Sequence, residues 1–135
     1  MENASGEAQG QGSPPRVMAV DDSPIALKKY AATLGDAGYG YRPVQDPKAA
    51  LEAIAEFRPD VILMDQIMPG IDGFELTKMI MATHGMEKIK IIMVSSDNKK
   101  ETVVKAVQGG AVDFLMKPFD DDTLLAKIRL HLSRK

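Results

Sequence analysis

A run of four apolar residues, 61–64, ends abruptly on the carboxylate of Asp65. Such a run is typical of a strand that is buried on both faces of a sheet. An ionisable side chain at the end of a buried strand is costly unless the strand opens into a crevice. Because the carboxyl ends of parallel strands border the crevices in which α/β proteins bind ligands, we predict that Asp65 is a reactive residue.

Apolar runs and helix signals alternate along the chain. Ser23 before Pro24, and Asp46 before Pro47, are typical of helix starts, because the first side chain caps the helix and proline suits its first turn. Five strands, each followed by a helix, are predicted at residues 17–20, 39–44, 61–65, 89–94 and 112–116. The second strand is more polar, as expected at a sheet edge. This alternation predicts the α/β class, as a doubly wound, five-stranded parallel sheet with helices on both faces.

Length and composition narrow the possible functions. The chain of 135 residues is expected to form one domain, residues 16–135, behind a disordered tail at residues 1–15. The lack of cysteine and the two distant histidines, His84 and His131, argue against a zinc site. A net charge of −2 gives no reason to expect nucleic acid as a partner. No apolar run approaches the roughly 20 residues of a membrane span, and no secretory signal is present, so a cytoplasmic location is expected.

The predicted topology brings polar residues from distant parts of the chain to one edge of the sheet. Right-handed crossovers place all the strand carboxyl ends together. These ends carry Asp21, Asp22, Asp65, Ser95 and Lys117. Two carboxylates about 4 Å apart repel each other by about 4 kcal/mol at an effective dielectric constant of about 20. A hard divalent cation would offset this repulsion, and Mg²⁺ suits a site of carboxylates, water and phosphate.

These residue types are the ones that phosphoryl transfer requires. Asp65 can attack as a nucleophile and form an acyl phosphate. Mg²⁺ and Lys117 can offset the charge of the phosphoryl oxygens, and the Ser95 hydroxyl can donate or accept a hydrogen bond. The sequence therefore predicts a magnesium-dependent phosphorylation site with Asp65, Lys117 and Ser95 as its catalytic residues.

Four segments form a combined pattern: Asp21-Asp22-Ser23, Asp65 with residues 68–73, residues 94–96, and residues 110–119. In this order and spacing they resemble the receiver domain of response regulators, in particular the stand-alone chemotaxis type. The resemblance extends over about residues 16–133. It implies a flavodoxin-like, three-layer fold with strand order 2-1-3-4-5, and a role in two-component signal transduction.

The resemblance also implies a role for each acidic residue. Asp65 would accept the phosphoryl group. Asp22 and Asp65 would bind Mg²⁺ directly, together with the backbone carbonyl of Ile67. Asp21 would bind the metal through water.

Three further residues would hold the phosphoryl group or report its presence. Lys117 would contact the phosphoryl oxygens, and its peptide bond to Pro118 would be cis. Ser95 and Phe114 would form the switch pair, with serine in place of the commoner threonine and phenylalanine in place of the commoner tyrosine. Phosphorylation would then alter the face formed by the fourth helix, the fifth strand and the fifth helix.

The fourth predicted helix is expected to contribute to a surface that binds a partner protein. Its residues Val104 and Val107 are expected to face the core, which would leave Val103 exposed. We therefore predict that Val103, together with Phe114, contributes to a surface for a partner protein.

The phosphoryl donor implied by the resemblance is a histidine kinase or a histidine phosphotransfer protein. An output domain is not expected in a chain of this length, so the output is expected to be binding to another protein, by a monomer or a weak phosphorylation-dependent dimer. A relay intermediate that passes the phosphoryl group onward is an alternative that the sequence leaves open. A small phosphohydrolase with an aspartyl nucleophile is disfavoured, because Ile67 stands where such enzymes usually place their general acid. No enzymatic activity is therefore expected beyond phosphoryl transfer to, and hydrolysis from, Asp65.

Overall fold

The five predicted strands form one parallel sheet in the computed structural model, which describes residues 13–133. The strands are β1 (Arg16–Val20), β2 (Gly40–Val44), β3 (Val61–Asp65), β4 (Lys90–Ser95) and β5 (Asp113–Met116). The α-helices are α1 (Pro24–Asp36), α2 (Ala50–Phe57), α3 (Gly73–Met81), α4 (Lys100–Gln108) and α5 (Asp121–Leu132). Residues 1–12 of the predicted tail lie outside the described residues, and residues 13–15 have no regular secondary structure.

The strand order across the sheet is β2-β1-β3-β4-β5, and each neighbouring pair is parallel. The predicted α/β class and the strand order implied by the resemblance are therefore confirmed. The chain leaves β1 toward one side of the sheet and returns to the other side at β3. At such a reversal, the loops after the two strands diverge and leave a crevice at their carboxyl ends.

Apolar layers cover both faces of the sheet, which explains why β3 is apolar up to its last residue. Alternate residues of a strand point to opposite faces. Ile62 and Met64 pack with buried residues of α2, α3 and α4, whereas Val61 and Leu63 pack with those of α1 and α5. The result is the expected three-layer sandwich with the sheet in the middle.

The predicted helix starts at Ser23 and Asp46 both carry a side-chain cap. The Ser23 hydroxyl accepts a hydrogen bond from the backbone N–H of Ala26 at 3.2 Å, which satisfies one free donor of α1. The Asp46 carboxylate accepts from the backbone N–H of Lys48 at 3.0 Å. It caps a short 3₁₀ helix, Pro47–Ala49, which leads directly into α2.

The parallel register aligns the strand ends that carry the predicted site. Asp65 at the end of β3 is paired with Val94 in β4. One residue further along β4, Ser95 is paired with Met116 in β5. The residues that follow these strands therefore lie along one edge of the sheet.

The expected orientation of α4 is wrong. Val104 and Val107, which were predicted to face the core, are 44% and 57% exposed. Val103, predicted to be exposed, is half-buried. The buried residues of α4 are instead Thr102 and Ala106.

A polar contact explains this orientation. The Thr102 hydroxyl donates to Asp97 Oδ2 at 2.8 Å, which holds Thr102 on the inner side of the first turn. Ala106 follows four residues later and so lies on the same helix face, where its small side chain allows close packing on the sheet. The exposed valines therefore replace Val103 as the apolar surface of this helix.

Across residues 13–133, no helix combines the length and the apolar character that a membrane crossing requires.

Candidate functional site

Three carboxylates meet at the crevice between β1 and β3. Asp21 and Asp22 directly follow β1, and Asp65 ends β3. Each offers a carboxylate oxygen, and these oxygens lie within 4.8 Å of one another. Asp21 and Asp65 are only 2% and 7% exposed, whereas Asp22 faces solvent. Oxygen ligands from three carboxylates at this spacing fit a hard divalent cation such as Mg²⁺.

The two carboxylate oxygens of Asp21 differ in their hydrogen bonding. Its Oδ1 accepts a hydrogen bond from the backbone N–H of Ser23 at 2.9 Å. Its Oδ2 is buried and has no hydrogen-bond partner among the residues that the structure describes. The only cation near it there is Lys117, whose Nζ lies 3.8 Å away. A buried, unpartnered carboxylate oxygen is costly, so this atom fits a metal-bound water or a cation.

Lys117 extends over the same crevice from the end of β5. Its Nζ donates to Asp65 Oδ1 at 3.1 Å. Its backbone N–H donates to the carbonyl of Ser95 at 2.9 Å, which fixes the base of the side chain against β4. The Lys117–Pro118 peptide bond is cis, as the resemblance implied. One ammonium group thus faces the buried pair of Asp21 and Asp65.

The charge of Lys117 does not balance the cluster. Burial, followed by repulsion from Asp21, raises the pKa of Asp65 to about 6, although Lys117 acts in the opposite direction. Burial likewise raises the pKa of Asp21, against the hydrogen bond from Ser23 and the charge of Lys117. The ionised site therefore lacks positive charge, which a bound divalent cation would supply.

The Ser95 side chain is buried at the end of β4 and makes two hydrogen bonds. Its hydroxyl donates to Oε1 of Gln66, and its oxygen accepts from the backbone N–H of Asp97 at 2.9 Å. Gln66, next to Asp65, is a site residue that the sequence reasoning missed. The one available signal was its position one residue beyond the end of a buried strand.

Gly73, the first residue of α3, packs against the backbone of Asp65. A Cβ at this position would overlap the Asp65 carbonyl oxygen and would lie 3.0 Å from Cα of Gln66. The Gly73 N–H also donates to the Gln66 carbonyl at 2.7 Å. Glycine is therefore required here for close approach of backbone to backbone, and it closes the loop that leaves Asp65.

The remaining predicted residues lie at different depths. Ile67 is 67% exposed, and because its hydrocarbon side chain has no donor atom, its backbone carbonyl is the part of this residue that a metal could use. Phe114 is half-buried and packs against the apolar layer that contains Met64 and Met93. Val103 belongs to α4 and is half-buried, as described above.

Comparison with known proteins gives consistent results. A family model described as the response regulator receiver domain matches residues 17–129. The protein PilH of Pseudomonas aeruginosa is 32% identical over 118 residues, which cover 87% of this chain and 98% of PilH. The DNA-binding response regulator MtrA of Mycolicibacterium smegmatis is 32% identical over 119 residues, which cover 88% of this chain but 51% of MtrA. The chain thus spans about half the length of the MtrA proteins it matches.

Solved structures with the same fold include chemotaxis and response-regulator proteins. The chemotaxis protein CheY4 of Vibrio cholerae superposes with a TM-score of 0.84 at 32% identity, over 87% of this chain and 98% of CheY4. A putative response regulator of Chloroflexus aurantiacus superposes with a TM-score of 0.85 at 28% identity, over 90% of this chain and 100% of that one.

Proposed function

The chain belongs to the response regulator receiver family, and from this premise we propose that it is a phosphorylation-controlled switch with Asp65 as its phosphoacceptor. One observation carries the proposal. The buried Asp65 carboxylate lies 3.1 Å from Lys117 Nζ and shares a cluster no wider than 4.8 Å with Asp21 and Asp22. These are the groups that positioning and charge neutralisation of a phosphoryl group require.

Mg²⁺ is the cofactor that this cluster fits. Asp22 and Asp65 would bind it directly with the Ile67 carbonyl, and Asp21 would bind it through water. The bound ion would supply the positive charge that offsets the three carboxylates and the phosphoryl oxygens. Asp21 Oδ2, which has no hydrogen-bond partner within residues 13–133, and the raised pKa of Asp65 both support this assignment.

The phosphoryl donor would be the phosphohistidine of a histidine kinase or a phosphotransfer protein. A carboxylate oxygen of Asp65 attacks phosphorus, so that a P–O bond forms while the P–N bond to the donor imidazole breaks. The imidazole nitrogen keeps the electron pair and takes up a proton. Lys117 Nζ, already hydrogen-bonded to Asp65, moves to a phosphoryl oxygen and holds the product there.

Phosphorylation would change the hydrogen bonds of Ser95. The new group carries a charge of about −1.5 to −2 and three strong acceptor oxygens, to which the Ser95 hydroxyl can donate. Movement of the Ser95 side chain toward the phosphoryl group would free space beside β4 for Phe114. It also removes the acceptor that the Asp97 N–H now uses. The Asp97 carboxylate in turn accepts from Thr102 in α4 at 2.8 Å, so the change reaches the start of that helix.

The output surface would be the face of α4, β5 and α5. Val104 and Val107 on α4 and Met116 at the end of β5 are exposed apolar residues on these elements. They take the place of Val103 in the predicted partner surface, while Phe114 remains its movable, half-buried component. A partner protein that packs on this face would respond to the position of α4.

Phosphorylation with a small acyl-phosphate donor tests the proposal. The protein is incubated with the donor and Mg²⁺, and its intact mass is measured. We expect one added phosphoryl group in the wild-type protein and in the Asp36→Asn variant, because Asp36 lies at the far end of α1. The Asp65→Asn variant should stay unlabelled. Labelling that persists in Asp65→Asn would disprove the assignment.

A further inference from the structure

The backbone of Gln66 is fixed at both ends. Its N–H donates to the carbonyl of Val94 in β4 at 2.9 Å, and its own carbonyl accepts from the N–H of Gly73 at 2.7 Å. These bonds hold Gln66 across the end of β4 immediately after Asp65. The side chain therefore starts from a fixed point beside Ser95.

The backbone of Ser95 is also held in place by a hydrogen bond, from the residue that follows β5. The Ser95 carbonyl accepts from the N–H of Lys117 at 2.9 Å. The Ser95 oxygen accepts from the N–H of Asp97, so the hydroxyl proton must find a separate acceptor. Oε1 of Gln66 is that acceptor. Because Ser95 is buried, water is a poor substitute for this contact.

A serine hydroxyl has one proton and can donate to one strong acceptor at a time. Donation to Gln66 and donation to a phosphoryl oxygen on Asp65 are therefore mutually exclusive. We propose that Gln66 is a positioning residue that holds the Ser95 hydroxyl in the unphosphorylated arrangement and competes with the phosphoryl group for it. This proposal rests on the proposed function of Asp65 and Ser95. It adds a residue that lowers the affinity of the site for a phosphoryl-like group.

The competition predicts a measurable change in affinity. Removal of the Gln66 acceptor leaves the Ser95 hydroxyl without a hydrogen-bond acceptor. Donation of a hydrogen bond from this hydroxyl to a phosphoryl-like ligand therefore becomes more favourable. A neutral hydrogen bond in proteins has a net effect of about 2- to 10-fold on an equilibrium constant. We therefore expect Gln66→Leu, which removes the amide acceptor and leaves an apolar side chain of similar size, to bind such a ligand several-fold more tightly.

Beryllium fluoride with Mg²⁺ is a suitable probe, because it attaches to a carboxylate oxygen and imitates a phosphoryl group. Its half-saturation concentration can be followed by NMR through the backbone amide signal of Asp97, which reports on Ser95. Gln66→Leu and the shorter Gln66→Asn should both lower this concentration by about 2- to 10-fold. Gln108→Leu, an exposed glutamine changed in the same way, should leave it unchanged.

A double-mutant cycle isolates the contact. In a Ser95→Ala background no hydroxyl remains, so Gln66→Leu should no longer change the half-saturation concentration. If Gln66→Leu and Gln66→Asn both bind no more tightly than the wild-type protein, or if the gain survives in Ser95→Ala, the role of Gln66 is refuted while that of Asp65 stands. If the wild-type protein does not bind the probe at all, the proposed function fails and this inference fails with it.

Discussion

Gly73 packs so closely against the backbone carbonyl of Asp65 that no side chain can be added there. The contact joins the first turn of α3 to the end of β3. It therefore fixes the position of the carboxylate relative to Asp21 and Lys117. The geometry of the site depends on a glycine that makes no chemical contribution of its own.

Gly73→Ala should consequently disturb both the fold and the site. The added Cβ overlaps the Asp65 carbonyl, and overpacking of this kind costs about 1–3 kcal/mol. The rate of labelling by an acyl phosphate should fall as well, because Asp65 is displaced. Gly35→Ala is the matched control, since a Cβ there meets nothing within 4 Å and lies in α1. Urea unfolding should show Gly35→Ala at least as stable as the wild-type protein. Equal stability of the two variants would contradict the close approach.

Lys117→Met should raise the pKa of Asp65 further. Lys117 is the cation that opposes the effects of burial and of Asp21 on this carboxyl. The pKa can be measured from the side-chain carboxyl carbon by NMR in the absence of divalent cations. Lys48→Met, which removes an exposed lysine from the 3₁₀ helix, should leave it where it is in the wild-type protein. An unchanged or lower pKa in Lys117→Met would show that Lys117 does not interact with Asp65 in solution.

Asp65→Asn should stabilise the metal-free protein at neutral pH. The pKa of Asp65 is raised in the folded state, so folding is opposed once the group ionises. The penalty is absent below pH 3.8, grows between 3.8 and about 6, and is complete above this range, where it amounts to at most about 3 kcal/mol. Thermal unfolding with a chelator should therefore show Asp65→Asn more stable than the wild-type protein at pH 8. The two should converge at pH 4, and a difference independent of pH would contradict this explanation.

Thr77→Val should also stabilise the fold, for a different reason. Thr77 is fully buried in α3, and its hydroxyl has no hydrogen-bond partner within the described part of the chain. Valine has the same shape without the hydroxyl, so the gain should be about 1 kcal/mol. Thr102→Val makes the same change where the hydroxyl donates to Asp97, and it should destabilise instead. Unfolding curves with the same sign for both variants would refute this distinction.

The fold and most of the site followed from the sequence because they depend on simple rules. A strand buried on both faces must be apolar throughout, so Asp65 at the end of β3 stood out. Right-handed crossovers then required Asp21, Asp22 and Lys117 to reach the same edge as Asp65. Neither step needed knowledge of individual side-chain contacts.

Two features were not predicted correctly from the sequence: the buried face of α4 and the part that Gln66 plays in the site. Both depend on contacts between side chains that periodicity does not determine. The face of α4 is set by the hydrogen bond between Thr102 and Asp97, which turns a polar residue inward and two valines outward. Gln66 meets Ser95 only because the register of β3 and β4 brings residues 29 positions apart together. A glutamine in a loop carries no sign of such a partner.

An acyl phosphate on Asp65 can be identified by chemical trapping. Sodium borohydride reduces the acyl phosphate of aspartate to homoserine and leaves free aspartate and phosphoserine unchanged. After incubation with Mg²⁺ and a small acyl-phosphate donor, the reduced protein is digested and its peptides are sequenced by mass spectrometry. We expect homoserine at position 65 and at no other aspartate. Homoserine at another position, or a phosphoryl group retained on Ser95, would contradict this expectation.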